Sequence, residues 1–295
     1  MSPQSTLLLA FPEHTGEGER LAAALGCPFA AVRIHHFPDG ESLIRLPPEL
    51  PERVVLYRTL HHPNAKLTEL LLAARGAREV GARELLLVIP YLCYMRQDKA
   101  FHPGEVVSQR IVGRFLGELC DGLFTVDTHL HRIDHLEEAI PSGGVNLSAA
   151  PLLGRLVAER RPGALLLGPD AESAQWVASA AGAGGLDHAV ARKVRSGDRS
   201  VSIHLPEREF RDRRVVLLDD VASSGMTLAR AAEAVLAAGA RSVDAAVTHA
   251  LFAPGAEEAI RSAGIDEVWS TDTIPHPTNS VQMAAPLAEA IRAWR

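Results

Sequence analysis

The sequence predicts an α/β protein of two domains, each a mainly parallel sheet flanked by helices. Short apolar runs alternate with helix-like segments along almost the whole chain, the pattern left by strand–helix–strand crossovers. Charged residues follow one apolar run after another, as expected where ligands meet the carboxyl ends of parallel strands. Pro141-Ser142-Gly143-Gly144 interrupts the alternation near the middle of 295 residues, a length suited to two medium domains.

The strand candidates are the apolar runs 54–57, 85–89, 123–126, 165–167, 215–218, 243–247 and 267–270. Each is too short for a helix and continuous enough to be buried on both faces of a sheet. Helical spacing covers 67–80, 106–119, 149–160, 173–181, 227–238 and 256–263. The break is placed near Asn146, giving a first domain over 1–145 and a second over 146–280. The last stretch, 281–295, reads as a helix that packs back on the first domain.

Composition narrows the function classes. The chain is 47% hydrophobic with mean hydropathy +0.04, enough apolar matter for a sizeable core. A net charge of -6 argues against nucleic acid as a partner. Cys27, Cys93 and Cys120 show no disulfide or metal spacing and fit a reducing cytoplasm. The first residues lack the basic and apolar stretches of an export signal. The apolar run between Glu84 and Arg96 is too short to span a bilayer, so no membrane association is expected. Of 30 basic residues only Lys66, Lys99 and Lys193 are lysines, which suggests positions that need a compact charge rather than a planar fork.

The most informative segment is 214–236, an apolar strand that ends in Asp219 and Asp220. The small-residue turn Ala222-Ser223-Ser224-Gly225 follows, and a helical pattern opens at Thr227. Amide groups of such a turn and helix start can hold a phosphate, and two carboxylates can accept hydrogen bonds from vicinal sugar hydroxyls. Arg96 of Tyr94-Met95-Arg96-Gln97-Asp98-Lys99 could fork onto phosphate oxygens, and Gln97 could read a base edge. His129 and Asp170 stand at strand ends, sufficient for a Mg²⁺ that keeps waters and substrate oxygens as its other ligands. Lys193 and Arg195 precede Ser196-Gly197-Asp198, a hairpin or flap suited to stabilising a transferring phosphoryl group. Phe37, ahead of the turn Pro38-Asp39-Gly40-Glu41, could stack on a purine. Taken singly, several of these segments are ordinary polar loops.

Together, FPDGE, NAKLTELL, YMRQDK, TVDTHLH, GPD, KVR, LLDDVASSGMT and STDTIP, in this order, resemble the ribose-phosphate pyrophosphokinases. The loop FHPGE is similar to that of the shorter, archaeal-type members. The resemblance implies two pseudo-symmetric phosphoribosyltransferase-like domains, of which only the second carries the sugar-phosphate loop. It implies Mg²⁺-dependent transfer of the diphosphoryl group of ATP to the 1-hydroxyl of ribose 5-phosphate. Carried over by position, Phe37, Asp39 and Glu41 would form an adenine pocket shared with a neighbouring subunit of a homo-oligomer. Arg96, Gln97 and Asp98 would hold ATP, and His129 and Asp170 the metal. Asp219 and Asp220 would bind the ribose hydroxyls. Ser223, Ser224, Gly225, Met226 and Thr227 would cradle the 5-phosphate. Lys193 and Arg195 would close on the transferring phosphates as the catalytic cations. Departures from the family pattern are Met226 in place of a turn glycine, Ser223 where many members have Asp, Glu172 within a usual glycine pair, and Gln175-Trp176 in place of a basic pair. The alternatives are a phosphoribosyltransferase that consumes the diphosphorylated sugar, and a non-catalytic regulatory subunit.

Overall fold

The structure is a computed structural model that describes all residues except 1–5, 129, 131, 132, 134, 197–199 and 295, and omits the side chains of 194–196 and 200–202. It divides into two compact units, one running to Leu147 and taking back the chain from Met283, the other spanning Ser148–Gln282. The first contains β1 (Thr6–Ala10), α1 (Thr15–Leu25), β2 (Phe29–Ala31), β3 (Arg33–His36), β4 (Ser42–Arg45), β5 (Arg53–Tyr57) and α2 (Pro63–Glu79). It continues with β6 (Glu84–Val88), α3 (Ser108–Gly117), β7 (Gly122–Val126) and β8 (Gly144–Leu147). The second contains α4 (Ala150–Arg160), β9 (Leu165–Gly168), α5 (Ala174–Gly184), β10 (Asp187–Val190), β11 (Arg192–Ser196) and β12 (Ser200–His204). There follow β13 (Arg214–Ala222), α6 (Met226–Ala237), β14 (Ser242–Ala250), α7 (Ala256–Ser262), β15 (Ile265–Thr271) and β16 (Asn279–Val281). The last helix, α8 (Ala284–Ala293), belongs to the first unit.

The two units repeat one design. The first sheet runs β2-β1-β5-β6-β7-β8 and the second β10-β9-β13-β14-β15-β16, with every ladder in both parallel. Each unit also projects one antiparallel hairpin, β3–β4 or β11–β12, from the same point in the connection. In both, the chain steps outward by one strand, makes the hairpin, and returns to the other side of its first strand.

Burial on both faces explains why the central strands read as unbroken apolar runs. In the first unit Leu9, Val54, Leu56, Leu85 and Leu87 pack with Leu70, Ala73, Ala74 and Ala77 of α2. In the second, Leu165, Leu167, Val215, Leu217, Val243 and Ala245 pack with Leu228, Ala231, Ala232 and Val235 of α6. Glycine sets two close approaches. A Cβ on Gly154 would lie 2.0 Å from the Ala180 carbonyl oxygen, so α4 and α5 pack backbone to backbone. A Cβ on Gly122 would strike the Trp294 ring at 2.7 Å, and that indole also meets Phe124 edge-on at 5.6 Å. The end of the chain is thereby seated on β7.

Every expected strand and helix is present with shifted ends. The apolar run 215–218 is the middle of a nine-residue strand that carries both aspartates within it. The strands β1, β2, β3, β4, β8, β10 and β16 were not expected, nor was α1. Asn146 lies in β8, whose ladder continues to Leu147, and Val281 closes β16 where the helix was expected to begin. No described helix is long and apolar enough to cross a membrane.

At the amino end of the second sheet, Arg161 forks onto buried Asp244 (Nε to Oδ2 2.7 Å, Nη2 to Oδ1 3.1 Å) and reaches Glu267 at 2.7 Å. It also lies over the Trp269 ring. Removing one partner of such a pair strands a buried charge. Arg161→Ala is expected to lower the unfolding free energy by roughly 3 kcal/mol, read as a fall in the urea midpoint with unchanged slope.

Candidate active site

In the second unit, β9 and β13 are neighbours whose onward connections leave in opposite directions, the switch point where doubly wound sheets bind ligands. β9 delivers Asp170. Its Oδ1 accepts from the Glu172 amide at 3.1 Å, and the Ser173 hydroxyl donates to its carbonyl at 2.6 Å. This local cap holds the carboxylate at the rim. Gly168 is required behind it, because a Cβ there would lie 2.2 Å from Ser173 Oγ.

β13 delivers Asp219 and Asp220. The Asp220 amide donates to Asp219 Oδ1 at 3.0 Å. Burial, and then the neighbouring carboxylates of Asp220 and Asp170, push the Asp219 carboxyl well above the usual carboxylate range. The pair is therefore poised to gain from hydroxyl donors or a cation.

The turn after β13 resolves the Met226 departure. Gly225 takes the left-handed conformation (φ 73°) and caps α6, while Met226 becomes the first helical residue. The helix thus starts one residue before the expected Thr227. The strained position falls on glycine, and Met226 adopts an ordinary conformation with its side chain 47% exposed. A Cβ on Gly225 would also meet Ile260 Cγ1 at 2.9 Å, so the turn is pressed against α7. The first turn of α6 contains no acidic residue, leaving its amide groups suited to an anion. The Ser223 carbonyl is held by the Ala253 amide at 3.0 Å.

Lys193, on the β11–β12 hairpin, ties these parts together. Its Nζ donates to Thr227 Oγ1 at 3.2 Å and lies 3.7 Å from Asp170 Oδ2. The structure thus joins Asp170, Lys193 and Thr227 directly, with Asp219 and Asp220 on the strand next to Asp170. The Arg195 side chain and His129 lie outside the described residues.

The remaining expected residues belong to the first unit. Phe37, Asp39 and Glu41 occupy the exposed tip of β3–β4. The Phe37 amide donates to the Glu41 carbonyl at 2.8 Å, and the Glu41 amide donates to Asp39 Oδ1 at 3.2 Å. Phe37 stands 40% exposed with His35 edge-on at 4.9 Å. Arg96 is exposed and Asp98 buried. Gln97 Oε1 accepts from the Ser108 amide (3.3 Å) and hydroxyl (2.7 Å), capping α3.

Sequence reasoning missed a second polar cluster, at the first unit's own switch point between β1 and β5. Buried Arg58 pairs with Glu69 at 2.5 Å and Glu13 at 2.8 Å. Burial and then Lys66 lower the His14 imidazole to about 3 and His61 to about 4. These residues have no shared spacing in sequence. Superposing the two halves strand by strand would have aligned them with the acidic pair and its turn.

A family model described as the N-terminal domain of ribose phosphate pyrophosphokinase matches residues 6–119, and a phosphoribosyl transferase domain model matches 153–284. The chain is 37% identical to a ribose-phosphate pyrophosphokinase of Methanopyrus kandleri, covering 97% of this chain and 98% of that one. It is 33% identical to that of Thermococcus kodakarensis, covering 89% and 92%. In fold it is similar to the crystal structure of phosphoribosylpyrophosphate synthetase from Mycobacterium smegmatis, with TM-score 0.83, 24% identity and 98% of each chain covered.

Gly225→Ala should both destabilise the second unit, by roughly 1–3 kcal/mol, and weaken binding of a sugar phosphate, measured by calorimetry. An unchanged affinity would remove the turn from the site. The native fold keeps His14 uncharged down to about 3, whereas the unfolded chain protonates it near 6.5. Unfolding therefore takes up protons between these values, and stability is full above about 6.5 and is lost as pH falls. In His14→Phe the loss between about pH 7 and pH 5 should shrink by about 2 kcal/mol, read from urea unfolding at both values.

Proposed function

The chain belongs to the ribose-phosphate pyrophosphokinase family, and we propose that it transfers the diphosphoryl group of ATP to the 1-hydroxyl of ribose 5-phosphate. The products are AMP and 5-phosphoribosyl 1-diphosphate, a precursor for nucleotide synthesis. The observation that carries this is the sequence of groups on one strand and its turn. Asp219 and Asp220 lead through the Gly225 cap into the amide-lined start of α6, and Lys193 spans Thr227 and Asp170 beside them.

The sugar's vicinal hydroxyls donate to Asp219 and Asp220, and its 5-phosphate takes amide donors from Ser223 to Thr227 with the positive end of α6 behind it. Lys193, with Arg195 from the same hairpin, supplies charge to the transferring group. In the step itself a bond forms between O1 of the sugar and the β-phosphorus, and the bond from that phosphorus to the α-phosphate oxygen breaks. AMP leaves with that oxygen, and the hydroxyl proton passes to solvent or phosphate oxygens. Positioning and charge stabilisation suffice, without a covalent enzyme intermediate.

Among the described residues no three His, Cys, Asp or Glu side chains are grouped to hold a metal. The donor chemistry at the β9 rim fits a Mg²⁺ shared with substrate oxygens. Asp170 has one oxygen committed to the Glu172 amide and the other only in ionic range of Lys193. Asp170 and His129 would hold such an ion, which would screen the polyphosphate charge. Phe37, Asp39 and Glu41 take the adenine, and Arg96, Gln97 and Asp98 hold ATP, in a site shared between subunits of a homo-oligomer. The exposed Phe37 ring supports that sharing. Three free cysteines support a cytoplasmic location.

The first test is AMP release from ATP and Mg²⁺ with and without ribose 5-phosphate; release independent of the sugar would overturn the assignment. Asp220→Asn should raise KM for ribose 5-phosphate at least about tenfold with a smaller change for ATP. Lys193→Ala should lower kcat by about 10²–10³-fold while ribose 5-phosphate affinity stays within a few-fold.

A further inference from the structure

We infer that the first unit carries an oxyanion site of its own, in the crevice between β1 and β5, where Lys66, His61, His14 and the opening turn of α2 receive a phosphate group. The site does not depend on the transfer reaction. Its position is the topological counterpart of the sugar-phosphate site: β1 stands to β5 as β9 stands to β13, and α2 follows β5 as α6 follows β13.

The first supporting observation is His14. It is fully buried, and among the described residues neither ring nitrogen makes a hydrogen bond of ordinary geometry, the Thr59 backbone acting on it only weakly. Leaving a buried polar group unpaired costs about 1–3 kcal/mol. The ring lies edge-on to those of His61 and Tyr57, both at 6.0 Å, so it packs directly behind His61. Its Nε2 comes no closer than 3.8 Å to Glu13 Oε1.

The second is the placement of charge. Arg58 draws both nearby carboxylates, Glu13 at 2.8 Å and Glu69 at 2.5 Å. Glu69 is further occupied by Ser42 and His36. Lys66 is left with neutral acceptors: its Nζ donates to the Thr59 carbonyl at 3.1 Å and lies 3.3 Å from His61 Nδ1. The carboxylate of Glu13 is 4.0 Å away. Burial is the main reason that the ammonium is lowered to about 8. A half-buried cation of this kind gains directly from an anionic ligand.

The third is α2 itself. It is 17 residues long, its N-cap His62 makes no side-chain cap bond, Pro63 occupies the first turn, and that turn has no acidic residue. Its positive end adds to Lys66 and favours an anion with several acceptor oxygens.

The Tyr91-to-Asp98 segment closes one side of the crevice. The Tyr91 amide donates to Thr59 Oγ1 at 3.0 Å, the Leu60 amide donates to the Tyr91 carbonyl at 3.0 Å, and Tyr94 Oη donates to Asn64 Oδ1 at 2.5 Å. The phosphate group could come from the free ion or from a nucleotide lying along this segment.

The test is ring ¹H–¹⁵N NMR of His14 and His61 in the full chain, titrated with inorganic phosphate. Both resonances should move saturably, equally well in Thr227→Ala, which alters only the second unit. Lys66→Met and, separately, His61→Gln should weaken the response at least tenfold, with circular dichroism confirming the fold of each. Resonances that stay fixed while phosphate saturates the second unit would overturn the site, as would a response unchanged in both variants. If ATP reproduces the shifts and displaces phosphate, the site serves nucleotide phosphates; if phosphate shifts persist under saturating ATP, it serves the free ion.

Discussion

The reversal of strand order is the constraint on which the rest depends. In a parallel sheet each strand presents its carboxyl end to the same edge, and the connections cover the faces. A ligand can reach that edge only where adjacent connections part. In the second unit this happens between β9 and β13, and the residues with chemistry gather there. Asp170 follows one strand, Asp219 and Asp220 lie within the carboxyl half of the other, and the hairpin between them supplies Lys193. The same chain geometry in the first unit gathers Glu13, His14, Arg58 and Lys66.

The two crevices differ in charge: three carboxylates face Lys193 in the second unit, whereas Arg58 and Lys66 offset Glu13 and Glu69 in the first. Each must hold polar groups against an apolar sheet. The second unit crowds three carboxylates, and Asp219 is driven toward its neutral form. The first unit crowds cations and imidazoles, and His14, His61 and Lys66 are driven the same way. A carboxyl raised toward its neutral form, or an ammonium made less basic by burial, gains when a ligand of the right sign arrives.

Apart from β1, whose apolar run Leu7-Leu8-Leu9 went unassigned, the central strands were legible because burial on both faces leaves an apolar run that no loop would carry. The turn after β13 was legible because Asp219, Asp220 and Gly225 have few other uses in that order. The edge strands were not. β2, β10 and β16 are three or four residues long and only partly buried, so they leave no run and little alternation. α1 opens with Thr-Gly-Glu-Gly, in which two glycines are poor helix formers and Gly18 admits close packing against Ala10 and Phe29. The resolution of the Met226 turn by Gly225 was open in sequence, because either residue could have taken the left-handed position. The Arg58 cluster was illegible for a different reason: its partners come from four elements, and only the fold assembles them.

The return of α8 to the first unit bears on how the protein is made. The ribosome releases β7 and β8 long before Trp294, with the whole of Ser148–Gln282 in between. At roughly 5–20 residues per second, the glycine-lined surface at Gly122 and Gly143 waits on the order of ten seconds or more for its covering indole. The later-made unit is complete before the earlier one can close. A nascent chain stalled before Met283 would therefore expose one unfinished sheet beside one finished domain, a distinction that chaperones and proteases are built to read.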